Sequence, residues 1–194
     1  MAVLEERPFC WYTLYTDFSR YRIWNYCLSL TTVEKDVGYT MKNRLCITPC
    51  GAAKIWDRHP ERGGVPAKEA YISAFGVACH TYADTFFDHW IILSAKHGFL
   101  FPTDIVPENY DLAFNSGSPD IITTEALKQQ AKEKGLNTFD EIFVVAGQKH
   151  IKVVREVFGT DCTYRFPLQG CKGIGYMLQK LKKAVQENKE IDHA

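Results

Sequence analysis

From Met41 onward, short apolar runs alternate with stretches of helical period, and this alternation constrains the fold more than any other feature of the chain. The runs are RLCITP, HWIILSA, EIFVVAG and CTYRFPL. Each is too short for a buried helix, and near-continuous apolar character is what a parallel strand covered on both faces shows. The alternation predicts an α/β three-layer domain with a mostly parallel sheet of about four to five strands and helices on both faces. A single such domain is expected over residues 41–190.

The intervening stretches read as helices. PAKEAYISAFGVACHTYADTFF is expected as one helix, with Pro66 in its first turn, where the missing N–H costs nothing. Its Tyr71, Phe75, Ala78, Tyr82 and Phe86 fall on one face. TTEALKQQAKEKGL has Thr123 or Thr124 as N-cap and Gly135 as its stop. KHIKVVREVFG closes at Gly159. GIGYMLQKLKKAVQENKE is the last helix, with Ile174, Met177 or Leu178, Leu181 and Val185 expected inward. Residues 1–40 are aromatic-rich and follow neither period, so they are read as an N-terminal extension. The purine-rich codons that Glu34, Lys35 and Asp36 require, shortly before Met41, leave a translated leader as the other reading.

Composition removes several classes. The 194 residues carry 23 basic and 23 acidic groups, so the whole chain lacks the charge signature of a strong nucleic-acid binder. No apolar run approaches the roughly 18 residues that span a bilayer. The N-terminus lacks the basic start and apolar block of a signal peptide. The 7 cysteines are odd in number and form no CxxC, so free thiols in a reducing, cytoplasmic compartment are expected, with no metal site. No cofactor motif occurs: GxSxG, HExxH and the P-loop are all missing, and GCKGIG is not GxGxxG.

In open α/β sheets, ligands bind beyond the carboxyl ends of the strands. Pro49, Cys50 and Gly51 follow the first run, with Lys54 and Trp56 shortly after. Ser94, Lys96, His97 and Gly98 follow the second, Gly147 and Gln148 the third, and Gly170 the fourth. These groups would share one rim. Cys50 is either a nucleophile whose thiolate a helix N-terminus favours or a small side chain packed under its loop. Lys54 either engages an anionic or electrophilic part of a ligand or is a solvated lysine. His97 is a general acid or base, or a turn residue. Gly98 supplies a backbone angle or a close approach that a side chain would block. Asp104, Glu108, Tyr110 and Asp111 lie on FPTDIVPENYD, which Pro102 and Pro107 stiffen into a lid or substrate wall, or into a solvated connection. GCKGIG suits a single phosphate at a helix start.

LSAKHGFLFPTDIVPENYD resembles a segment of the YaaA peroxide-stress family and of a broad set of uncharacterised bacterial and phage proteins. The companion motif of those proteins, PCxxxK, is matched by Pro49, Cys50 and Lys54. Similarity to the uncharacterised set runs from Lys42 to about Glu187 and includes VVAGQKH and PLQGCKGIG. The same PCxxxK core resembles that of archaeosine synthase, which modifies a deazaguanine base in tRNA. Ile55 and Trp56 stand where that enzyme has proline and tyrosine, and His59 and Arg62 replace its serine and histidine. The resemblance implies a shared α/β scaffold and a pocket for a base-like ligand, without that enzyme's lysine transfer. The likeness to YaaA implies an association with DNA and oxidative stress.

The expectation is an intracellular enzyme acting on a nucleobase, nucleoside or nucleotide-like small molecule, with no cofactor. Cys50, Lys54, His97 and Asp104 are its candidate catalytic residues. Pro49, Gly51, Trp56, Ser94, Lys96, Gly98, Tyr110, Asp111, Gly147, Gln148 and Gly170 are its candidate substrate contacts, with Trp56 or Tyr110 stacking on a base. The alternative is a non-catalytic DNA- or RNA-binding protein, to which KQQAKEKG, QKHIKVVR and LQKLKK would offer lysines. No membrane partner is expected, and the oligomeric state is not read from the sequence.

Overall fold

The computed structural model describes residues 43–191; the reading of residues 1–40 falls outside them. Five strands form the main sheet: β1 (Arg44–Pro49), β3 (Trp90–Ser94), β4 (Gly98–Leu100), β6 (Glu141–Val144) and β7 (Thr163–Arg165). Their order is β4-β3-β1-β6-β7. The pairings of β1 with β3, β1 with β6 and β6 with β7 are parallel, whereas β4 runs antiparallel to β3. Two short strands, β2 (Val65–Pro66) and β5 (Ile105–Val106), pair separately.

Alternation along β1 divides its side chains between two helical layers. Leu45 and Ile47 pack with Leu127 and Ala131 of α3 (Thr124–Glu133) and Ile151 and Val154 of α4 (Gln148–Phe158). Cys46 packs instead with Cys79, Tyr82 and Ala83 of α2 (Ala74–Phe86) and Leu181 and Ala184 of α5 (Ile174–Gln186). This is the expected three-layer α/β architecture. The expected ends of α3 and α4 are also present: Thr123 Oγ1 accepts the Ala126 N–H at 3.1 Å, Gly135 has φ +67°, and Gly159 closes α4 with φ +69°.

Three local expectations are corrected. The segment 66–87 is two helices, with α1 (Ala67–Ala70) ending before Tyr71. Tyr71 instead bridges Lys54, and the Ile72 N–H donates to the Ala53 carbonyl at 3.0 Å. Ser73 then caps α2 by accepting the Gly76 N–H at 3.1 Å. The apolar period runs unbroken through this break because Tyr71 is buried for a different reason, in a third cluster with Trp56, Val106 and Tyr110. Second, FPTDIVPENYD is not all loop. It follows β4, which folds back antiparallel on β3, and it carries β5, which pairs with β2. Third, Ile174 is 65% exposed, and Leu181 and Ala184 are the buried residues of α5.

The chain leaves β1 for β3 on one side and returns to β6 on the other. The carboxyl ends of β1 and β6 therefore flank a topological switch point, where open α/β sheets place ligands.

Candidate functional site

The site grows from the ends of β1 and β3. Cys50 follows β1, and its N–H donates to the Leu93 carbonyl at 3.3 Å, which ties the two strand ends together. Gly51 has φ +74°, and a Cβ there would lie 2.2 Å from Ser73 Oγ. Glycine thus lets the loop turn against the start of α2. No helix begins at Cys50 to favour its thiolate: the chain runs as a loop into a 3-10 turn over Ile55–Asp57.

That loop carries Lys54 inward, to 2% exposure. Its ammonium donates to the Ala52 carbonyl at 2.9 Å and lies 4.3 Å from the centre of the Tyr110 ring. An ammonium has three N–H donors, so this one keeps capacity for a ligand. Burial pulls the Lys54 pKa down, while Cys50, Asp57 and Asp111 act in the opposite sense. Asp57 secures the turn: it accepts the Lys54 N–H at 2.8 Å and the Asn109 amide at 2.9 Å. The Lys54 N–H, then Asn109, hold its carboxyl below the usual range.

Tyr110 is the hub. Its hydroxyl is 2.7 Å from that of Tyr71 and 2.7 Å from Ser94 Oγ. Ser94 in turn accepts the N–H groups of Lys96 at 3.1 Å and His97 at 3.0 Å. The His97 ring meets the Tyr110 ring edge-on at 5.1 Å between centroids. His97 Nε2 is buried without a hydrogen-bond partner. Burial, then the Lys96 charge, lowers the His97 pKa, which favours the neutral imidazole near pH 7. Burial pushes the Tyr71 hydroxyl up to about 12 and Tyr110 higher still. Burial also raises the Cys50 thiol, against the Ala95 N–H, Lys54, Tyr110 and Lys149, which pull it down.

A cleft of about 530 Å³ opens beside this cluster, lined by Ala52, Ala53, Lys54, Asp57, Asn109, Tyr110 and Asp111. It falls within the range of small-molecule sites, about 300–1,000 Å³.

Several expected residues are placed elsewhere. Asp104 accepts the Phe101 N–H at 2.9 Å and pairs with Lys134 at 2.8 Å, so its carboxylate is spent on the β4–β5 turn and does not line the cleft. Trp56 is buried with its indole N–H on the Arg62 carbonyl at 2.8 Å; it anchors the loop and leaves no face for a base. Lys54 sits over the Tyr110 ring, and Tyr110 still lines the cleft. Lys96 pairs with Glu108 at 3.1 Å at the cluster's edge. Gly98 satisfies both expectations: φ is +73°, and a Cβ would meet Gln130 Oε1 at 2.1 Å. That Gln130 accepts the Phe99 N–H and donates to the His97 carbonyl, so Gly98 serves the β3–β4 turn. The Pro49 carbonyl lies 3.2 Å from His80 Nε2.

Gly147 is the N-cap of α4 and Gln148 its first residue; neither lines this cleft, although the charge of the neighbouring Lys149 reaches Cys50. Gly170 lies in a separate hollow of about 500 Å³ with Lys172, Tyr176, Lys180 and Lys183. The residues that the sequence reading missed are Tyr71, Asp57 and Asn109. Tyr71 was masked by its helical spacing. Asp57 stands three residues after Lys54, the spacing of a reciprocal cap, and that was the legible signal.

Fold and site together define an α/β protein with a buried lysine, two tyrosines, a serine and a histidine gathered where its first two parallel strands end. The chain belongs to a family of unknown function, DUF6884, whose pattern matches residues 50–183, from the cysteine at the end of β1 into α5. It is also similar to the uncharacterized protein YfjM of Bacillus subtilis (strain 168): 50% identical over 148 residues, which are 76% of this chain and 99% of that protein. Among the described residues, no helix is long and apolar enough to cross a membrane, and no cluster of ligating side chains suits a metal ion.

Proposed function

We propose that the protein is an enzyme acting on a nucleobase, nucleoside or nucleotide-like small molecule bound in the cleft at the ends of β1 and β3. The observation that carries this reading is Lys54: a lysine with 2% exposure that lines an open cleft with ammonium donors to spare. Burying a cation costs several kcal/mol unless something repays it, and the carbonyl and ring that touch it are weak repayment. A ligand acceptor would complete the site. In this reading Lys54 binds the anionic or electron-poor part of the substrate. The Asp111 carboxylate, on the same cleft wall, accepts from its N–H groups. His97 moves a proton, since its bare Nε2 is held neutral beside Tyr110. The likeness of the PCxxxK core to archaeosine synthase supports a base-like ligand, and stacking is left to contacts other than Trp56.

The test is calorimetric titration of bases, nucleosides and nucleotides into the wild type and Lys54→Met, which keeps the buried stem. Saturable binding that weakens at least tenfold in Lys54→Met supports the reading. A panel that binds neither protein, or both equally, overturns it.

One observation favours a second reading, that of a non-catalytic nucleic-acid binder. Residues 148–189 hold 9 lysines and arginines against 3 acidic residues, although the chain is neutral overall. Tyr176 is 62% exposed among them. Gel-shift affinity that falls steeply with salt would support this reading, and no shift at low salt would dismiss it.

A further inference from the structure

We infer that Lys54 is the nucleophile of this site: its amine, held on the cleft wall without a carboxylate partner, forms an imine with an aldehyde or ketone carbon of the ligand. The inference deepens the reading above and rests on the cleft being a substrate site.

The argument starts from what surrounds the nitrogen. Lys54 is the one buried lysine among the described residues, and it lines the cleft. Lys96, Lys134 and Lys183 each pair with a carboxylate, at 3.1, 2.8 and 3.8 Å. Among the described residues no carboxylate comes within that reach of the Lys54 ammonium. Asp57, three residues on, is engaged elsewhere: one oxygen accepts the Lys54 backbone N–H at 2.8 Å and the other the Asn109 amide at 2.9 Å. A buried ammonium without a counterion is unfavourable, and releasing a proton relieves the cost.

The neutral amine has two N–H groups and one lone pair. The Ala52 carbonyl, at 2.9 Å, accepts one N–H. The face of the Tyr110 ring, with its centre 4.3 Å from the nitrogen, takes the other. The remaining tetrahedral direction holds the lone pair and is left to the cleft. That is the arrangement a nucleophilic lysine needs: a fixed stem, little water and a lone pair facing the ligand. Cys50, the other nucleophilic side chain of the PCxxxK core, is not on the cleft wall.

The groups that bear on this charge agree with the geometry. Burial is the largest influence and pulls the Lys54 pKa down, while Cys50, Asp57 and Asp111 act upward. Tyr71, which bridges the Lys54 backbone, and Tyr110 are the phenols beside it. Burial keeps both protonated, so neither adds a charge.

The step balances without an oxidant or a reductant. The amine lone pair attacks the carbonyl carbon, a nitrogen–carbon bond forms, and the π electron pair moves to oxygen. Both amine protons pass to that oxygen, which leaves as water, and a carbon–nitrogen double bond remains.

The test is reductive alkylation of the full chain with formaldehyde and cyanoborohydride between about pH 6 and 9, read lysine by lysine by peptide mass spectrometry. Cyanoborohydride traps each imine as a stable amine. A lysine that sheds its proton more readily holds more free amine at a given pH. Lys54 should therefore be labelled at pH 7 at least about threefold faster than the exposed Lys68, Lys128 and Lys132, and its rate should level off at a lower pH than theirs. Labelling of Lys54 that is no faster than theirs overturns the inference. Fast Lys54 labelling with an empty ligand panel would remove the base-like substrate and keep the nucleophile. Ligand binding that depends on Lys54, with slow labelling, would keep the binding role and remove the nucleophile.

Discussion

The two ends of the sheet's carboxyl rim are built on opposite plans. At the β1–β3 end, Lys54, Tyr71, Ser94 and Tyr110 are buried, mutually bonded and fixed in position. At the β7–α5 end, Gly170, Lys172 and Tyr176 surround an open hollow, and Tyr176 is largely exposed. Both ends looked alike in the sequence, as polar or glycine-rich stretches after an apolar run. The difference is that β5 and the break between α1 and α2 bring Val106, Tyr110 and Tyr71 into one buried cluster at the first end, while Gly170 and Tyr176 at the second are exposed. A polar strand end becomes a chemical site when another part of the chain removes its water.

The comparison can be broken by substitution, and the largest effect belongs to the covered end. Trp56→Ala should cost about 3–5 kcal/mol by cavity formation and loss of the loop anchor, read by urea denaturation. A cost below about 1 kcal/mol would mean that the cover is not packed as described.

Acid should act next. Burial lowers His80, beside the covered end, and His150, in the first turn of α4, each to about 4. Both are neutral in the fold and protonate near pH 6.5 when unfolded. Between pH 6.5 and about 4 the unfolded chain binds more protons, so stability must fall as pH falls through that window. Each histidine contributes up to about 3 kcal/mol of that loss. Melting temperatures from pH 7 to 4 should show the decline. His150→Phe should flatten it, and an equally steep curve would refute the assignment.

Glycines sharpen the contrast further. Gly98→Ala combines a positive φ with a clash against Gln130 and should cost about 2–3 kcal/mol. Gly170→Ala has φ +81° but open space around its Cβ, so it should cost only the backbone strain, about 1 kcal/mol. Equal losses at the two glycines would erase the distinction between the rim's ends. The smallest effect is expected for Tyr176→Ala, within about 0.5 kcal/mol, as for exposed positions generally. A fall in nucleic-acid affinity in that variant would instead give the second reading its footing.

The sequence by itself determined the layers. Near-continuous apolar character in the short runs, the helix ends at Thr123, Gly135 and Gly159, and polar groups following each parallel strand are local properties, set by residues within one turn or one strand of each other. It also singled out Lys54, His97 and Gly98, because a charged or conformationally special residue at a strand end is visible without partners. Only the tertiary structure decided which of these groups meet. Tyr71 has the spacing of a helix face, and only its bridge to Lys54 draws it out of the helix and into contact with Tyr110. Asp104 and Asp111 look equivalent on one loop, yet Lys134, 30 residues on, claims the first, and the cleft takes the second. Hydrogen bonds and burial between residues far apart in the chain are set by how the layers close, and no local pattern encodes them.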